Sequence, residues 1–131
     1  MSISADVTTD AFGNITVLMK GGLNFETNPS IRRELNDLAT QYPYAQILID
    51  MNSVDFVGSS GIGIFIETLR FLNRIHRERV RLCNVNEEFQ KVFKLYTKEE
   101  EQFIVENYEF ESDDLEGFSR FYGKKRRLFE N

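Results

Sequence analysis

The sequence predicts a single α/β domain whose elements run β-β-α-β-α-β-α, and three stretches carry that prediction. Ile3, Ala5 and Val7 alternate with polar residues. Asp10-Ala11-Phe12-Gly13-Asn14 separates them from Ile15-Thr16-Val17-Leu18-Met19, the pattern of two strands around a Gly-Asn turn. Ile47-Leu48-Ile49-Asp50-Met51 is a compact apolar run, apolar on both faces, which suits a central strand. The residues from Ile62 to Ile75 then repeat apolar side chains at helical spacing, and the alternating run Arg79 to Val85 follows a crossover of the right length for parallel pairing.

Each remaining element has its own signal. The second strand ends at Gly21-Gly22-Leu23-Asn24, and Asn28-Pro29 supplies an N-cap followed by proline at the first helical position. The helix it opens runs to about Ala39 with Ile31, Leu35 and Leu38 inward, and Tyr42-Pro43-Tyr44 ends it. In the long helix Ile62, Phe65, Ile66, Leu69 and Leu72 form the inward stripe, with Glu67, Arg70, Arg74 and Arg77 on the wet face. Asn86 caps a short helix carrying Phe89, Val92, Phe93 and Tyr96 at i, i+3, i+4 and i+7, with Glu87 and Glu88 suiting its dipole. Glu99-Glu100-Glu101 reads as a solvated turn and Phe103-Ile104-Val105 as a last short strand. Ser112-Asp113-Asp114 opens a final helix with Leu115, Phe118 and Phe121 or Tyr122, and Lys124-Lys125-Arg126-Arg127 leads a basic tail.

Composition narrows the function classes. The 131 residues suit one domain with one core, and no apolar stretch is long enough to cross a bilayer. The start Met1 to Asp6 has no signal-peptide pattern, so a cytosolic protein is expected. The lone Cys83 reads as a small core residue. A net charge of -5, with no basic stripe interleaved with aromatics in the body of the chain, argues against nucleic acid.

The stretch Asp55-Phe56-Val57-Gly58-Ser59-Ser60-Gly61-Ile62-Gly63 stands between a strand and a helix, where glycines and serines could cradle a phosphate. The glycine spacing is not the G-x-G-x-x-G of a dinucleotide fold, and the chain is too short for a doubly wound dehydrogenase. The residues do not spell G-x-S-x-G, and the only histidine, His76, is about four helical turns from Ser60. No Walker sequence, histidine cluster or cysteine pair marks a nucleotide or zinc site. The chain is therefore read as a non-enzyme without a cofactor, and Ser59 and Ser60 as residues at a helix N-cap.

Gly22-Leu23-Asn24 after a strand, Ile47 to Met51, Val54-Asp55-Phe56-Val57 and Ser59-Ser60-Gly61-Ile62-Gly63 opening a long helix together resemble a STAS domain of the anti-sigma factor antagonist type. The resemblance covers roughly Val7 to Phe121. It implies a small sheet of mixed parallel and antiparallel direction with helices packed mainly on one side, over residues 1–122, followed by the basic tail 123–131. It implies that Ser60, less so Ser59, is phosphorylated by a serine kinase that is itself the anti-sigma factor. Unmodified antagonist then binds that kinase, and a serine phosphatase restores the complex after phosphorylation. Asn24, Asp55, Gly58, Ser59, Ser60, Gly61, Ile62, Gly63 and Ile64 are the expected contact residues, the glycines letting the partner approach. The chain departs from the family at two positions, with Gly58 in place of the aspartate before the serines and Asn24 in place of an acidic residue. The alternative is a STAS adaptor or scaffold subunit in a signalling or transport complex that works without phosphorylation.

Overall fold

The computed structural model describes residues 3–56, 58–105 and 126–128, with the backbone alone at 56, 58–60 and 126–128. The elements are β1 (Ile3–Thr9), β2 (Ile15–Leu23), α1 (Asn28–Gln41), β3 (Ile47–Phe56), α2 (Gly58–Ile75), β4 (Val80–Cys83), α3 (Glu87–Tyr96) and β5 (Arg126–Leu128). They form one mixed sheet of order β4-β3-β2-β1-β5. β1 pairs antiparallel with β2 and β5, whereas β2–β3 and β3–β4 are parallel, each joined by a helical crossover. The run from Ile47 is central, as its two apolar faces predict.

The hairpin turn is built by Asp10, whose Oδ1 accepts from the amides of Phe12 (2.8 Å) and Asn14 (2.9 Å), with Gly13 at φ 84°. Alternation then decides which side chains meet. Ile3, Ala5, Val7, Ile15, Val17, Met19, Ile47, Ile49, Val80 and Leu82 join the helical stripes Ile31–Leu35–Leu38 and Ile62–Phe65–Ile66–Leu69–Leu72 in one core. The facing side of the sheet carries Ser4, Thr8, Thr16 and Asp50, which stay partly exposed.

Three elements differ from their sequence reading. β3 continues to Phe56 because an extra residue in that strand shifts its register between the pairs Leu18–Asp50 and Lys20–Ser53. This bulge exchanges the two faces, so Val54 turns into the core while Ser53 and Asp55 point to solvent. α1 begins one position early: Thr27 precedes it in helical conformation without a side-chain cap bond. Asn28 is buried and uses its Oδ1 to accept from Thr68 Oγ1 at 3.0 Å, joining α1 to α2 instead of capping. Arg126 and Arg127, expected in the basic tail, belong to β5, whose backbone pairs antiparallel with β1.

Asn86 caps α3 as its position predicts, accepting from the Glu88 amide at 2.7 Å. Phe103 and Val105 bond Leu82 across a single parallel bridge at Ile104, which is less than the strand expected there. The helix expected from Ser112 lies outside the described residues.

Candidate functional site

The ends of β2 and β3 bring the glycine–serine stretch beside the turn that enters α1. Register places Gly22 against Asp55 and Leu23 against Phe56, and α2 starts at Gly58. A Cβ at Gly61 would lie 2.7 Å from the Leu23 carbonyl oxygen and 3.2 Å from the Asn24 Cα, so the first turn of α2 rests directly on the end of β2. Only glycine permits that approach.

Asn24 organises the turn below this contact. Its Oδ1 accepts from the amides of Glu26 (2.8 Å) and Thr27 (2.9 Å), while Thr27 Oγ1 accepts from the Asn24 amide and donates to the Gly22 carbonyl, both at 3.1 Å. Thr27 is buried and Asn24 half-buried. The polar chain Gly22–Thr27–Asn24 thus fixes the seat on which α2 begins, and a carboxylate at position 24 could accept the same two amides.

Several expected roles change. Ser59 and Ser60 occupy the second and third positions of α2, inside its first turn, because β3 runs to Phe56 and leaves one residue before Gly58. Their backbone is therefore already helical. Ile62 is buried in the core and presents no side chain to a partner. Gly61 is buried against β2, and Gly63 seats a ring: a Cβ there would touch Tyr96 at 3.5 Å. Asp55 is exposed at the end of β3, and Ile64 is half-buried. Two residues that the sequence did not mark for the site lie beside it: Phe25 follows Asn24 in the turn and is 66% exposed, and Tyr96 sets its ring over Gly63. The i+7 position of Tyr96 suggested an inward residue, and its ring does lie against α2 at Gly63 while the residue stays 39% exposed.

The electrostatics suit an anion more than a reaction. The first turn of α2 has no acidic residue, so its dipole is not offset by a carboxylate in that turn. Cys83, buried beside Asp50, has its thiol pushed up to about 12, first by burial and then by that carboxylate, which leaves it protonated and inert. His76 is lowered by burial and by Arg79, and bonds Asn36 Oδ1 at 2.8 Å. Among the described residues no group of His, Cys, Asp and Glu could hold a metal, and no helix is long and apolar enough to cross a membrane.

Known proteins agree with this architecture. The anti-sigma factor antagonist SpoIIAA in its unphosphorylated form superposes with a TM-score of 0.51 at 18% identity, over 82% of this chain and 90% of its own. The Bacillus cell fate determinant SpoIIAA in the phosphorylated form gives a TM-score of 0.51 at 19% identity, over 79% and 89%. At these identities the likeness is one of fold. No curated protein matches the chain in sequence. The family model for the STAS domain matches residues 3–110, and domains of this kind are regulatory and non-enzymatic. The mixed sheet, the helix seated by glycine on the end of β2 and this match together establish that the chain belongs to the STAS domain family.

Proposed function

We propose that this protein is an anti-sigma factor antagonist that binds a partner-switching serine kinase and releases it when Ser60 is phosphorylated. The observation that carries the reading is the first turn of α2: small residues, no acidic side chain, and a start held against β2 by Gly61. A phosphate there adds about -1.5 to -2 charges, which the helix N-terminus accommodates without unfolding the domain. The same charge must be desolvated at an interface and repels any carboxylate facing it. Binding changes while the fold persists.

Asp55, Gly58, Ser59, Gly63 and Ile64 complete the contact surface in this reading, with Asn24 shaping it through the turn. A serine phosphatase returns the protein to its binding form, and the process regulated is transcription in the cytoplasm. Mass spectrometry of the protein from its native cells tests the switch. Phosphate at Ser60 that varies between growth and stress is expected, and its consistent absence rejects the reading. Purified Ser60→Asp and Ser60→Ala should differ strongly in the partner they retain; equal retention favours the phosphorylation-independent adaptor.

A further inference from the structure

Two side chains hold one residue at the outer edge of β4. Asn73 Oδ1 accepts from the Val80 amide at 2.9 Å, and Arg81 Nη1 donates to the Val80 carbonyl at 3.0 Å. A strand residue sends its amide and carbonyl to the same side, as Leu82 does toward Phe103 and Val105, so the Asn73 amide and the Arg81 guanidinium stand beside each other. Asn73 is only 7% exposed, yet its Nδ2 has no hydrogen-bond partner. A buried donor in that position has given up water and gained no acceptor in return.

Asn73 and Arg81 line one cleft of about 590 Å³, between the second half of α2, β4 and residues 100–103, a size that suits a small molecule. Beyond its bond to Val80 the Arg81 guanidinium has no partner among the described residues, and the side chains of Arg74, Glu78 and Glu100, which line the same cleft, have none either. Arg70 and Glu101 also line it, but they are engaged with each other at 2.7 and 2.9 Å. The cleft therefore holds free cations and free carboxylates together. A simple anion would meet the repulsion of Glu78 and Glu100, whereas a molecule carrying both charges matches both sets.

We propose that this cleft binds a free α-amino acid, whose carboxylate is received by Asn73 Nδ2 and the Arg81 guanidinium and whose ammonium faces the carboxylates of Glu78 and Glu100. A carboxylate oxygen is the acceptor that the Asn73 amide lacks, and a guanidinium beside it strengthens the bond. Phe103, half-buried in the same lining, offers apolar surface to the side chain of the ligand. The site is separate from the glycine–serine corner, because Asn73 stands thirteen positions beyond Ser60, about 20 Å along the helix. It stands whether or not Ser60 is modified.

Heteronuclear NMR of the isotope-labelled full chain tests this directly, since the Asn73 side-chain amide has resonances of its own. Titration with each common L-amino acid at millimolar concentration should shift those resonances, with the Arg81 Nε–H, for at least one of them. N-acetylation or amidation of that amino acid should weaken its binding about tenfold. Asn73→Asp keeps an oxygen for the Val80 amide and replaces the donor by an acceptor, so it should also weaken binding about tenfold or more, as should Arg81→Met. Arg33→Met, on α1 and outside the cleft, should leave the affinity unchanged. Asn73 resonances that no amino acid moves overturn the proposal. So does unchanged affinity in both Asn73→Asp and Arg81→Met, or inorganic phosphate binding as tightly as the best amino acid. Thermal melting accompanies each variant, and if Asn73→Asp does not fold, Glu78→Gln and Glu100→Gln read the ammonium side, where unchanged affinity in both overturns the zwitterion.

Discussion

Helices α2 and α3 begin in opposite ways. α3 has an asparagine cap bonded to the Glu88 amide and two glutamates in its first turn, so its exposed amides and dipole are satisfied by its own side chains. α2 opens on Gly58-Ser59-Ser60-Gly61 with no acidic residue, and what fixes it is backbone contact with β2. The first helix is finished locally. The second depends on a distant strand and keeps its N-terminal field available, which is what a site for a transient negative charge requires.

Substitutions separate these two designs. Gly61→Ala should have the largest effect, about 2 kcal/mol of lost stability in urea unfolding, because the new methyl meets backbone that cannot yield. Gly63→Ala, three positions on, meets only the Tyr96 ring at 3.5 Å and should gain up to about 1 kcal/mol from helix propensity. Equal losses at the two glycines would reject the seat on β2. Asn86→Ala should cost about 1 kcal/mol by removing the α3 cap, also measured by urea unfolding.

Glu101→Gln should cost less than about 1 kcal/mol at neutral pH, and its pH dependence identifies the cause. The Arg70 guanidinium holds the Glu101 carboxyl down at about 2, below the value of about 4.3 for an unfolded chain. The stabilisation is therefore complete above the unfolded value and is lost as pH falls through the folded one. Urea midpoints of wild type and Glu101→Gln should converge between about pH 4.5 and pH 2. The smallest effect is expected at α2 itself. Ser60→Asp should raise stability by about 0.5 kcal/mol through the helix dipole, while Glu88→Gln lowers it by a similar amount. A loss of stability in Ser60→Asp would mean that the start of α2 does not accept charge.

Most of the core was legible because each strand and helix reports its buried face through its own period. Ile31, Leu35 and Leu38, and Ile62 through Leu72, are inward as their spacing predicts. The bulge in β3 was not legible, since Asn52 and Ser53 look like the end of a strand until the pairing with β2 shows the extra residue. Glu101 looked like one of three solvated acids, because its partner Arg70 is 31 positions away. The corner showed a middle case. Its serines and glycines stood out in the sequence, yet Gly61 serves β2 and Gly63 serves Tyr96, and neither contact leaves a local trace.

Arg79 carries a consequence for the order in which the fold opens. Its guanidinium donates to the carbonyls of Ala39, Tyr42, Ala45 and His76, collecting the last turn of α1, the loop into β3 and the end of α2 around the start of β4. Helix ends ordinarily fray alone, with amides exchanging against solvent at little energetic cost. Here the end of α1 cannot loosen without releasing the residue that leads into β4. The exchange rates of its final amides should therefore follow those of the β3–β4 pair, making a peripheral helix end part of the same cooperative unit as those strands.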